Sequence, residues 1–130
     1  MKRHVFLTIA ALIALTVATL ALLWPAHLLH GKGVAPSAAA EVWIREVSVL
    51  LIALAVLVLM VRKHDDSPTL RAVLVFNMLV QLGLFPIEIA AYLDGVITRG
   101  WGIVPNSVLH LVLAACFAYY ARSPRQAASA

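Results

Sequence analysis

Residues 5–24 read VFLTIAALIALTVATLALLW, twenty positions without a single charge. A helix rises about 1.5 Å per residue, so a run of this length matches the roughly 30 Å hydrocarbon thickness of a bilayer. The stretch is apolar on every face, which suits a helix whose surroundings are apolar throughout. It follows Lys2-Arg3, as a signal peptide would. Its apolar run is longer than a signal h-region, however, and the small residues Ala38–Ala40 stand too far downstream for a natural cleavage site. The segment therefore reads as a retained membrane anchor.

Three more stretches are long and apolar enough to cross a bilayer: Val42–Val61, Ala72–Leu93 and Ile103–Ala121. Short connections join all four, and the expected fold is an all-α, integral membrane, up-down four-helix bundle occupying residues 1–122. Residues 123–130 are expected to be a short cytoplasmic tail. The whole chain has 130 residues, 63% of them hydrophobic and only 12% charged. That balance excludes an ordinary water-soluble domain.

The charges that remain follow topology. Lys2, Arg3, Arg62, Lys63, Arg71, Arg122 and Arg125 fall on one side of the arrangement, whereas Lys32, Arg99 and Arg45 fall on the other. Such a bias puts both termini in the cytoplasm. The net charge of +4 forms no basic stripe, so nucleic acid is not an expected partner. Trp24, Trp43 and Trp101 all lie near the outer interface, where tryptophan anchors helices at headgroup level. The compact, alanine-rich layout fits a bacterial inner membrane.

Polar residues inside apolar spans are costly and tend to face a bundle interior. On the third span Asn77, Gln81, Glu88 and Tyr92 fall within an arc of roughly 60° at 100° per residue, forming one stripe. On the fourth, Asn106 and His110 stand one turn apart on one face, followed by Ala114 and Ala118, which favour close helix contact. Helical rise puts Glu88 and His110 at about the same depth, roughly 8 to 11 Å from the outer end. The expected site is thus an outward-facing polar pocket of Glu88 and His110. Glu46 or Arg45 would stand at its mouth, Gln81 and Asn77 beneath, and Tyr92 and Asn106 alongside. A carboxylate beside an imidazole can move protons, hold a ligand or bind metal. The same cluster also suits a structural role in which His110 or Arg45 neutralises Glu88 and fixes helix register. Pro86, with Gly83 near it, is expected to bend the third helix just below Glu88.

Other chemistry finds little support. Cys116 is the one cysteine, so no intrachain disulfide can form. His27 and His30 have helical spacing but no clear third ligand, and no metal site is expected. His110 is the one histidine inside a span, which disfavours a bis-histidine haem. Phosphate-cradling loops, nucleophile elbows and zinc-protease motifs are absent, and the sequence leaves any cofactor unidentified.

The Lys2-Arg3 start, the acidic-basic opening EVWIRE at 41–46 and the step from Asn106 to His110 resemble small bacterial DoxX-like four-helix membrane proteins. That group includes subunits associated with quinone-linked oxidoreductases. The resemblance implies a similar bundle and leaves activity open, and no catalytic residue comes with it. Three functions remain in view. The first is an accessory subunit or lipid- or quinone-binding bundle, with membrane lipid and a larger complex or homo-oligomer as partners. The second is a small membrane enzyme, isomerase-like, using Glu88 and His110 as acid and base on an apolar substrate. The third is a proton-coupled transporter.

Overall fold

The computed structural model describes residues 1–122, and the expected tail at 123–130 lies outside them. Five α-helices follow one another: α1 (Arg3–Leu23), α2 (Pro25–Gly31), α3 (Ala38–Val61), α4 (Pro68–Leu93) and α5 (Val104–Arg122), with a 3₁₀ turn at Gly100–Gly102 before α5. Four of them, with the 3₁₀ turn counted into the last, are long and apolar enough to span a membrane. The end where α1 begins is called lower here, and the opposite end upper.

The helix ends follow local chemistry. Trp24 precedes a proline, which disfavours α geometry, and at φ −131° it breaks α1 from α2. Pro25 then occupies the first turn of α2, where its missing N–H costs nothing. The Gly/Pro punctuation between Pro25 and Ala40 argues against a continuous helix, and none forms there. The segment is one short helix followed by a turn, because the Pro/Gly signals at each end bracket seven residues free to coil. Ser37 caps α3, its hydroxyl accepting from Ala40 N at 3.2 Å, and Ser67 caps α4 through Leu70 N at 3.1 Å. These caps start both helices about one turn earlier than the hydropathy suggests.

α2 and α4 finish in the same way. Gly33 N and Val34 N bond back to His30 O and Leu29 O, and Gly95 N and Val96 N to Tyr92 O and Ala91 O. Each glycine has φ +73°, the left-handed conformation that closes a Schellman motif.

Packing departs from a simple up-down ring. α1 lies along α3 and α4 along α5, whereas α3 and α4, though joined by a tight turn, make little backbone contact. The molecule is two antiparallel hairpins laid together. Their shared core includes Phe6, Leu7 and Ala11 from α1, Ala55 and Val58 from α3, Leu74 from α4, and Phe117 from α5.

The seam between the hairpins is tied at both ends. Below, the Phe6 ring meets Phe117 edge-on at 4.9 Å and stacks on Tyr120 at 5.2 Å. The Tyr120 hydroxyl donates to Met1 O at 2.6 Å, and Arg3 reaches across α1's lower end to pair with Asp66. Above, Thr98 N and Arg99 N both donate to Lys32 O, Thr98 Oγ1 donates to Gly33 O, and Arg99 donates to His30 O. A Cβ on Gly102 would stand 2.6 Å from Lys32 Cα. Only glycine lets the two upper loops approach this closely.

Candidate functional site

Between the two ties the seam is incompletely filled. A cavity of about 80 Å³ is walled by apolar residues of α1 and α3, including Ala14, Leu51 and Leu54. On the opposite wall Asn77, Gln81, Asn106 and His110 come together from α4 and α5. Val17, Leu51, Leu54 and Leu84 also line it and are themselves partly exposed. Part of the cavity lining thus belongs to side chains that also reach the outer surface of the helices.

Gln81, His110 and Asn106 form one connected network that continues to Glu88. Asn106 Nδ2 donates to Glu88 Oε1 at 2.7 Å and lies 3.1 Å from His110 Nε2, so one amide joins acid and base. His110 Nδ1 meets Gln81 Oε1 at 2.5 Å. Because that oxygen only accepts, the contact requires a proton on Nδ1, and in the neutral ring Nε2 is then free to accept from Asn106. One turn below, Asn77 is buried and returns its amide to Val73 O at 2.8 Å. The intrahelical bond leaves its side chain at the edge of the cavity.

Glu88 is the pivot. Its Oε1 accepts from Asn106 and is paired with Lys32, and its Oε2 lies 4.0 Å from His110 Nε2. Oε2 is buried and has no hydrogen-bond partner among the described residues. As a carboxylate oxygen it can accept a hydrogen bond from any donor that reaches it. Ser107 Oγ of α5 is the other buried side-chain oxygen without a hydrogen-bond partner among the described residues.

The cluster foreseen at one depth is therefore assembled, but its cation is a different one. Arg45 is exposed and pairs with Glu41 one turn above it at 3.2 Å, and Glu46 is exposed on the same helix. Neither stands at the mouth of the Glu88 cluster. The reason is the pairing of helices: α3 follows α1, while Glu88 belongs to the α4–α5 hairpin. Lys32 takes the position, delivered by the Schellman turn after α2 and by its clasp with Thr98 and Arg99. A lysine in a glycine-rich loop carries no periodic signal, and nothing in the sequence pattern singled it out.

Tyr92 also separates from the stripe and is 44% exposed. It lines a shallow groove with Phe85, Ile89 and Ser107 on the α4–α5 surface. At 100° per residue it stands at the far edge of the roughly 60° arc, where a small rotation suffices to turn it outward. α4 passes through Pro86 without interruption. Among the described residues no group of three or more His, Cys, Asp or Glu side chains is positioned to hold a metal, and His27 and His30 remain on the short upper helix.

Comparison of the chain with protein-family models, with curated proteins and with solved structures gives no match.

Proposed function

We propose that the protein is a multi-pass membrane bundle, DoxX-like in kind, that holds an apolar ligand with a polar head, such as a quinone or a lipid, in the seam between its hairpins. The observation that carries this is the two-sided cavity, with aliphatic side chains opposite a strip of Asn77, Gln81, Asn106 and His110. Binding sites for such molecules join apolar walls to a few convergent polar groups in this manner. The lower end carries Lys2, Arg3, Arg62, Lys63, Arg71 and Arg122, which favours a cytoplasmic location for it and for both termini. The exposed Trp24, Trp43 and Trp101 suit the outer interface of a bacterial inner membrane.

In this reading the ligand enters from the bilayer. No residue of the upper loops lines the cavity, and the Lys32 clasp lies over Glu88. About 80 Å³ admits a head group rather than a whole lipid, so the hairpins part in the middle while remaining tied at their ends. The role is that of an accessory subunit in a larger complex or a homo-oligomer.

A diazirine-bearing ubiquinone analogue, photolysed with the purified chain, should label peptides of α1 and α5. His110→Ala should reduce that labelling roughly tenfold, the loss expected for one or two hydrogen bonds. Labelling that ignores His110, or that maps only to the lipid-facing sides of α3, would exclude this site.

A second reading has its own observation. The unpartnered Glu88 Oε2 faces His110 Nε2 across 4.0 Å, a span that a substrate or one water can bridge. A carboxyl and an imidazole so arranged could remove a proton from an apolar substrate and return it at another carbon. Turnover of a bound sterol-like or polyene lipid, abolished equally by Glu88→Gln and His110→Ala, would favour the enzyme over the binding bundle.

A further inference from the structure

The lower end holds a second concave feature that the seam does not use. A hollow of about 320 Å³ lies between the first turn of α1 and the residues that follow α3, lined by Arg3, His4, Arg62, Lys63, His64 and Asp65. Three of the six are permanent cations and one is an acid. Arg3 is already engaged, pairing with Asp66 and donating to His64 O at 2.6 Å. Arg62 spends one nitrogen on the Leu59 carbonyl. The side chains of His4, Lys63 and His64 are exposed and make no polar contact among the described residues.

We infer that this hollow seats the phosphodiester headgroup of an anionic phospholipid. The guanidinium of Arg62 and the ammonium of Lys63 supply charge-assisted donors of the kind phosphate oxygens accept. His4 and His64 add neutral or charged donors around the same space. Depth fits as well. α1 begins at Arg3 and α3 ends at Val61, so the hollow stands where two apolar helices give way to polar chain. Above it the outward faces of both helices are apolar and exposed, with Val5, Ile9 and Leu12 on α1 and Leu57 and Met60 on α3. A headgroup held at this polar end therefore belongs to a molecule whose acyl chains run along the apolar outer faces of the same helices. A soluble phosphate would use the hollow alone.

The inference rests on the membrane reading above, but it is independent of what the seam binds. The test uses the full chain in a neutral detergent, with phosphatidylglycerol and phosphatidylcholine offered at equal concentration and adducts counted by native mass spectrometry. Phosphatidylglycerol should be retained preferentially. Arg62→Gln with Lys63→Gln should reduce that preference by roughly tenfold or more, as the loss of two headgroup charges implies. Removing the same charge elsewhere on the lower end, by Arg71→Gln with Arg122→Gln, should leave it largely intact. Equal loss in both double variants would reduce the effect to general surface charge and overturn the site. So would displacement of the lipid by millimolar inorganic phosphate, which would make this a free-anion site. Both double variants change exposed or half-exposed side chains, and a thermal melt checks that each is folded. Carbonate extraction of native membranes separates the two readings. Release of the chain would overturn membrane insertion and this site with it, whereas retention without any headgroup preference overturns this site alone.

Discussion

Asn106 has one amide nitrogen and uses it on both Glu88 and His110. Replacing it with leucine keeps the branched shape but withdraws a donor from a buried carboxylate, so Asn106→Leu should destabilise the bundle by about 1–3 kcal/mol. SDS-induced unfolding in mixed micelles measures this. Glu88 and Lys32 allow a sharper experiment, because their side chains are only 12% and 23% exposed. Lys32→Ala alone leaves an unpaired buried carboxylate. Combining it with Glu88→Gln removes the charge that needed pairing, so the double variant should be more stable than Lys32→Ala despite carrying more changes. If the two effects simply add, the ion pair is not coupled to the fold. At this scale the sequence disclosed much: Glu88, His110, Gln81 and Asn77 lie on predictable helix faces, and periodicity alone selects them. Lys32 was hidden because its position depends on its loop meeting a distant one at Thr98 and Arg99.

At the scale of elements, the upper clasp depends on two glycines for two different reasons. Gly33 has φ +73°, and a Cβ there would also collide with the Thr98 hydroxyl. Gly102 is crowded by Lys32 Cα at 2.6 Å. Gly33→Ala and Gly102→Ala should each cost about 1–3 kcal/mol, since strained backbone and forced movement add. Gly83 is the natural control. It lies inside α4 with nothing within 4 Å of its would-be Cβ, so Gly83→Ala should be neutral or stabilise by up to about 1 kcal/mol. Equal losses at all three positions would refute the clasp. Serine caps explain why α3 and α4 begin at Ala38 and Pro68 rather than farther along. Hydropathy marks where a helix is apolar, whereas the cap marks where its hydrogen bonds begin.

For the molecule as a whole, two hairpins held at their ends and loose in the middle make two opposite predictions. Phe117→Ala removes the ring that Phe6 meets edge-on and should cost about 3 kcal/mol or more, as for other buried aromatics cut to alanine. Ala14→Leu should do the reverse to function. It fills space at the cavity wall, so thermal stability should hold or rise while photolabelling of the seam falls. Unchanged labelling with a raised melting temperature would show that the ligand lies elsewhere.

The sequence by itself determined that the chain folds as four long apolar helices, that polar residues share faces on α4 and α5, and that positive charge gathers at one end. All of these follow from local periodicity and composition, which each segment carries without reference to the others. Which helices pair was decided only by tertiary structure. α1 lies on α3, α4 lies on α5, and the tight α3–α4 turn joins two hairpins rather than two close neighbours. Four apolar helices offer similar surfaces to one another, so hydrophobicity does not discriminate among arrangements. The choice falls to ring contacts such as Phe6 with Phe117, and to the glycine-permitted approach of two loops. Those same contacts carry Lys32 to Glu88 and leave Arg45 outside.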